Sequence, residues 1–282
     1  MKILGILNIT EDSFSDGGKF LAADTAIAHA GKLMADGADA IDVGAASSNP
    51  DAKAVPPEVE IARLAAVIPA LQAKSIPVSV DSFSPEVQRW ALGQGVAFLN
   101  DIHGFPDSAL YPELAKSNAK LIVMHMVQER GVAVRTEVPT PEIFGRVTAF
   151  FDTRVKALTD AGIARERLIL DPGMGQFVGT DPENSLILLR RLSDLKSRYG
   201  LPLLVSVSRK GFLRKLTGRP IDRIGPASLA AELFAAGQGA GFIRTHDPGA
   251  LRDGRDRHGA RPLGSPAPHR VASLVSPCES CP

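Results

Sequence analysis

The chain has 282 residues and a formal net charge of +1, with Lys and Arg dispersed along it, which argues against a nucleic-acid-binding surface. Hydrophobic residues make up 44% and aromatic residues only 5%, so a large core must be built from Ala, Leu, Val and Ile. No apolar run approaches the ~18 residues of a membrane span, and no membrane partner is expected.

The opening segment MKILGILNIT turns polar too soon for a signal peptide and reads as a first strand ending at Asn8. A polar loop, 11–19, follows. Thr25 to Asp36 has helical spacing, with Ala26, Ala30, Leu33 and Met34 on one face and Gly37 as its stop. A second run ends at Asp42, and a second polar loop covers 45–53. Pro57 to Ala73 reads as one helix opened by proline. PVSV then ends at Asp81, followed by a helix from Pro85 to Leu92. VAFL ends at Asn100-Asp101, with a short helix from Leu110 to Ala115. KLIVM ends at His125, with a helix from Pro141 to Ala161. RLIL ends at Asp171, with a helix from Pro182 to Arg198. LPLLVSV ends at Ser208-Arg209-Lys210, with a helix from Ser228 to Ala236 before the last run, AGFI, which ends at Arg244-Thr245-His246.

Eight short, continuously apolar runs alternating with helical segments suggest eight parallel strands buried on both faces, hence a (β/α)8 TIM barrel. The polar residues at the run ends then converge on one mouth, where that architecture builds its sites. The pattern changes after residue 254. An eighth helix is due there, but 255–282 carry five prolines, several arginines and no apolar stripe. The expectation is a barrel domain over 1–254 and an atypical, low-order C-terminal tail over 255–282 in place of the last helix. The only cysteines, Cys278 and Cys281, lie in that tail as a lone C-x-x-C pair, which is weak evidence for zinc. A body without cysteine fits a cytoplasmic protein.

At the mouth, Asp171 ends its run and Pro172-Gly173 turns the chain at once. A carboxylate there is partly desolvated and calls for a two-donor partner, such as an N–H beside an NH2 on a heterocycle. Asp81 offers a second carboxylate, and Asn100 offers a donor and an acceptor. With Lys210, this set suits a polar bicyclic ring such as a pterin; equally, the two aspartates could cap helices or pair with arginines. If a helix begins after Lys210, its first N–H groups form an anion site; otherwise the segment is a solvated basic turn. Arg244 and His246 alternate at the end of the last run, which puts both on one side of the strand. Asn8 is the neighbour of that strand in a closed barrel. The three suit a diphosphate, and Asn8 could also ligate Mg2+. Met124 and Met126 read as apolar lining, and His125 is ambiguous.

Taken in order, GILNIT-DSFSDGG, IDVG, VDSFSPEVQ, LNDI, MHM, LDPGMG, SVSRK and IRTHD resemble dihydropteroate synthase over about residues 2 to 254. ASSNPD, NDIHGFPD and LDPGMGQF are similar to the acquired, sulfonamide-resistant forms of that family. The resemblance implies condensation of 4-aminobenzoate with 6-hydroxymethyl-7,8-dihydropterin diphosphate, releasing diphosphate. It implies that Asp81, Asn100, Asp171 and Lys210 hold the pterin. Asn8, Arg244 and His246 would hold the diphosphate and its Mg2+. Phe14 and Asp16 would belong to a first lid loop, and Ser47, Ser48 and Pro50 to a second, completing an aminobenzoate pocket with Phe177 and Gly211. Ala46, Asn49, Gly211 and Gln176 depart from family patterns. The resemblance also implies a homodimer, which the altered C-terminus puts in question. Two other readings stand beside it: a pterin-binding methyltransfer domain, which need not bind diphosphate, and an inactive synthase with a damaged C-terminus.

Overall fold

The computed structural model describes residues 1–10, 19–47, 52–128 and 131–258. Eight parallel strands run in the order β6-β5-β4-β3-β2-β1-β8-β7. They are β1 (Lys2–Asn8), β2 (Ala40–Gly44), β3 (Val78–Asp81), β4 (Phe98–Asp101), β5 (Lys120–Met124), β6 (Leu168–Asp171), β7 (Leu204–Val205) and β8 (Phe242–Thr245). Between β6 and β7 the ring closes through a bridge from Leu170 to Leu203 and a bond in which Leu170 N–H donates to Pro202 O at 3.0 Å. The expected barrel is therefore present, nearly closed.

The helices lie outside it: α1 (Lys19–Ala35), α2 (Pro57–Ala65), α3 (Ile68–Ala73), α4 (Pro85–Gly93), α5 (Tyr111–Lys116), α6 (Ile143–Asp160), α7 (Pro182–Arg190), α8 (Leu192–Tyr199), α9 (Gly211–Thr217), α10 (Gly225–Gly237) and α11 (Pro248–His258). Their apolar faces pack on the strands' outward residues in one large cluster that includes Leu33, Leu64, Leu71, Val87, Phe151, Leu188 and Ala235. Proline opens α2, α4 and α7, where a missing N–H costs nothing, and Ser84 and Asp181 cap α4 and α7 with their side chains.

The single helix expected over Pro57 to Ala73 is two. Pro69, in the first turn of α3, has no N–H to give to the carbonyl one turn back, and its ring would clash with that carbonyl. The helix expected from Pro182 to Arg198 breaks at Arg191, whose guanidinium lies 3.4 Å from the centre of the Phe144 ring.

A helix does follow β8. α11 starts at Pro248 and continues past the boundary expected at 254. Leu251 is fully buried, Arg252 bonds the carbonyl of Gly37, and Arg255 bonds that of Met1 at 3.1 Å, so α11 covers the β1–β8 seam. Residues 259–282, with Cys278 and Cys281, lie outside the described residues.

The barrel interior holds two layers. The lower one is apolar: Leu4, Ala40, Phe98, Ile122, Ile169, Leu204 and Phe242 form a closed cluster, with Phe98 and Phe242 edge to face at 6.2 Å. Side chains alternate along a strand, so the next inward residue is two positions on. Those residues are Asp42, Asn100, Met124, Asp171, Ser206 and Arg244, and they form the floor of the mouth.

Candidate active site

β2 extends through Gly44, so Asp42 sits in mid-strand rather than at a run end, as the apolar pattern of DAI suggested. Its side chain points inward and is fully buried. Arg244 of β8 lies across the barrel and joins two carboxylates. Its Nε donates to Asp42 Oδ2 at 2.5 Å, and one terminal nitrogen donates to Asp81 Oδ2 at 2.7 Å. The planar guanidinium suits this double role. Burial opposes its charge, but Asp42 and Asp81 outweigh burial and hold the proton more firmly than usual. Burial pushes Asp81 up to about 7, with Arg244 pulling it back and Asp42 adding to the rise.

Asp171 faces the same cavity from β6. Its Oδ1 accepts from Gly173 N–H at 2.8 Å. That turn requires glycine: φ at Gly173 is +76°, and a Cβ would stand 2.4 Å from the carbonyl oxygen of His125. Burial raises Asp171 to about 6, against the pull of the Gly173 N–H and Lys210. Lys210 reaches in from the loop before α9. Burial, then Arg244, lower it to about 8, and Asp171 and Asp81 restrain the fall. Asn100 donates from Nδ2 toward Asp42 Oδ2 at 3.5 Å. The buried Oδ1 of Asn100, Oδ1 of Asp42 and Oγ of Ser206 have no protein partner among the described residues. Unpaired buried groups are costly, and here they surround one cavity, as expected of a site that binds a polar ligand.

Phe177 roofs this floor. It lies in a short turn at 175–178, is 5% exposed, and its ring centre is 4.3 Å from Lys210 Nζ. Its carbonyl accepts from Val127 N–H at 2.9 Å, which pins the turn to the segment after β5. Ile102, Met124, Met126, Ala133 and Phe83 pack with it; Met124 lines the cavity as expected, with Met174 beside it, whereas Met126 is buried in the cluster and is not part of the lining.

His125 does not face the mouth. Met124 points inward, so the next residue points out. His125 donates from Nδ1 to Pro172 O at 3.2 Å and meets the Phe150 ring edge-on at 5.3 Å, and burial holds it neutral at about 4. Asp101 turns outward for the same reason. It accepts from Gln88 and from the backbone of His103 and Phe105, and so builds the loop after β4.

Asn8 is exposed at the rim. In register it adjoins Gly44, which adjoins Asp81, and a Cβ at Gly44 would meet Asn8 Oδ1 at 3.6 Å and Asp81 Oδ2 at 3.8 Å. His246 lies just past the end of β8, half-buried, beside the cavity rather than on its floor. Its Nδ1 is 3.0 Å from Ser208 Oγ, which also accepts from the His246 N–H at 3.2 Å. Burial, then Arg209, Arg244 and Lys210, lower its pKa to about 3, so it is neutral. A helix does begin after Lys210, at Gly211, where nothing stands within 4 Å of an added Cβ. Ser47 is half-buried after β2. Phe14, Asp16, Ser48, Asn49 and Pro50 lie outside the described residues.

Sequence reasoning missed Asp42 and Ser206 as site residues. The signal was available: each stands two positions after an inward apolar residue, as Asn100, Asp171 and Arg244 do. Among the described residues, no group of three or more His, Cys, Asp or Glu side chains could hold a metal, and no helix is long and apolar enough to cross a membrane. Asn8 Oδ1 and Asp81 Oδ2 flank Gly44, 3.6 and 3.8 Å from where its Cβ would stand; the Asp81 oxygen already accepts from Arg244, whereas Asn8 Oδ1 is an oxygen at the rim of the type Mg2+ takes.

The family model described as "Pterin binding enzyme" matches residues 4–246. The chain is 62% identical over 252 residues to the dihydropteroate synthase type-2 of Escherichia coli, covering 89% of this chain and 93% of that one. Among solved structures, it is similar to the Xanthomonas albilineans dihydropteroate synthase with 4-aminobenzoic acid (TM-score 0.83, 36% identity, 92% of each chain). The same enzyme in complex with 7,8-dihydropteroate matches with a TM-score of 0.79, 35% identity and 92% of each chain.

Proposed function

This chain belongs to the pterin-binding enzyme family, among its dihydropteroate synthases, and on that footing we propose how its residues divide the work of joining 4-aminobenzoate to 6-hydroxymethyl-7,8-dihydropterin diphosphate. The enzyme is a transferase that forms a C–N bond and releases diphosphate. The single observation that carries the division is the polar ring of Asp42, Asp81, Asn100, Asp171, Ser206 and Arg244, three of whose buried oxygens have no partner among the described residues, above an otherwise apolar barrel.

The pterin lies on that floor. Asp171, desolvated and already positioned by Gly173, takes the N–H/NH2 edge of the ring, while Asn100, Asp81 and Lys210 meet its other polar atoms. Each charged hydrogen bond of this kind contributes about 1.5–3 kcal/mol. The diphosphate runs from Arg244 on the floor to the rim, where Asn8 and His246 receive it. A bound Mg2+, held by Asn8 with Asp81 nearby, would supply positive charge to the leaving group. As the C–O bond breaks, Arg244 and His246 stabilise the departing negative charge, and Asp81 and Asp171 face the positive charge left on the pterin methylene. The neutral aniline nitrogen then attacks and loses its proton afterwards, so no strong base is required. Ser47, Gly211 and the Lys210 loop bound the aminobenzoate side, with Phe14, Asp16, Ser48 and Pro50 as lid residues. The cysteine-free barrel suits work in the cytoplasm.

The chain also confers sulfonamide resistance on this reading. Phe177 is buried at the cavity edge and fixed by Val127 and Lys210, so it crowds the space where a sulfonamide's extra substituent would project beyond the aminobenzoate footprint.

Diphosphate release with both substrates and Mg2+, with and without sulfamethoxazole, tests both parts. Release that requires aminobenzoate and persists with the drug is the expected result. Release abolished by the drug would refute the role given to Phe177, and no release from a folded sample would refute the synthase reading. Phe177→Gly should restore inhibition.

A further inference from the structure

Behind His246 lies a buried acid that the chemistry above does not use. Glu232 of α10 is 2% exposed. Its carboxyl meets the hydroxyls of Thr245 and Ser208, and its Oε1 has no protein partner among the described residues. Ser208 Oγ is in turn 3.0 Å from His246 Nδ1. A carboxyl, a hydroxyl and an imidazole thus stand in line from the helix layer to the rim of the mouth.

The proton count along that line has two solutions. With Glu232 ionised, the Ser208 hydroxyl donates to it. Ser208 Oγ then accepts from the His246 N–H and from His246 Nδ1–H, which leaves a lone pair on Nε2. With Glu232 protonated, the carboxyl donates into the Thr245–Ser208 pair, whose oxygens are 3.4 Å apart, and Ser208 donates to Nδ1. His246 then carries its proton on Nε2. Only the second state gives an anion a donor from the free edge of the ring.

We propose that Glu232 is a positioning residue that acts through Ser208 to set which ring nitrogen of His246 is protonated, and with it the grip of His246 on the diphosphate group. The importance for diphosphate rests on the role given to His246 above; the coupling of Glu232 to the His246 tautomer does not. Burial, with Asp247 adding to it, raises Glu232 to about 7, against the pull of the Thr245 and Ser208 hydroxyls, so both states are reached near neutrality. His246 stays neutral through that range under the influence of burial and of Arg209, Arg244, Lys210 and His29.

The test is 15N NMR of the imidazole nitrogens in the full-length protein, with the His246 signals identified by their loss in His246→Gln. In the wild type, raising the pH from 6 to 8.5 should move the proton from Nε2 to Nδ1. In Glu232→Gln, which keeps the shape, and in Ser208→Ala, which cuts the line, the tautomer should not respond. Arg209, Lys210, Arg244 and His29 are present in all three proteins, so their influence is common to the comparison. A wild-type tautomer that does not change with pH, or a change that persists in Glu232→Gln, overturns the coupling. If the coupling is found, KM for the pterin diphosphate should rise several-fold more in wild type than in Glu232→Gln between pH 6 and 8.5, the titration of Asp81, Asp171 and Lys210 being common to both proteins. A found coupling with no effect on that KM would overturn the diphosphate role of His246 alone.

Discussion

The two layers of side chains inside the barrel differ in one step of two residues along the same strands. Ala40, Phe98, Ile169, Leu204 and Phe242 form the lower layer; Asn100, Asp171, Ser206 and Arg244, with Asp42 bonded to Arg244, form the upper one. Both are buried, and the strands carry them with the same geometry. The lower layer satisfies itself by apolar contact. The upper layer leaves Asp42 Oδ1, Asn100 Oδ1 and Ser206 Oγ without a partner among the described residues and, with Asp81 and Lys210 at its edge, gathers three carboxylates around two cations. Burial is therefore not what separates core from site here. Incomplete satisfaction is, and a site that binds a polar ring has to accept that cost in stability.

The comparison can be broken hardest at Arg244. Arg244→Met leaves Asp42 buried beside Asp81 with no cation between them, and should cost about 3–5 kcal/mol in denaturant unfolding, besides lowering turnover. A change below 1 kcal/mol would mean that the upper layer is held in another way.

Asp171→Asn should act in the opposite direction. Asp171 has a folded pKa of about 6 against 3.8 for the free side chain, so the folded state binds its proton more tightly than the unfolded chain. That contribution favours folding at about pH 4 and is lost as pH rises through 6. Asparagine removes the loss and can still accept from Gly173 N–H. The variant should be more stable than wild type by about 1–3 kcal/mol at pH 7, with the difference fading toward pH 4 in paired unfolding curves. Equal stability at both pH values would count against a strained carboxylate.

The lower layer should show the smallest effect and no functional one. Ile169→Val should cost about 0.5–1.5 kcal/mol, with diphosphate release per folded molecule unchanged. A large loss of turnover at unchanged stability would mean that the apolar layer takes part in the site.

Much of this division was legible in the chain. Asp81, Asn100 and Asp171 stand at or next to the ends of short apolar runs, and such runs read clearly as strands buried on both faces. Asp42 was misread because the three letters DAI end one residue before it, whereas the strand continues to Gly44. His125 and Asp101 followed the same run-end rule and proved to face outward, because the rule locates strand ends but not pleat direction. Fixing direction requires the partner register, such as Gly44 against Asp81. The break at Pro69 was visible as a proline in the first turn of a second helix. The Glu232–Ser208–His246 line was not, since it joins α10, the β7–α9 loop and the end of β8, which meet only when the barrel closes.

The most direct measurement is equilibrium binding of 6-hydroxymethylpterin, by calorimetry, to the wild type and to Asp171→Asn, with folding of both verified at the same pH. If the upper layer is the pterin floor, the wild type binds and the variant, equally or more stable, binds at least about 10-fold more weakly, as the loss of one charged hydrogen-bond pair requires. Equal affinity in the two proteins would contradict that assignment.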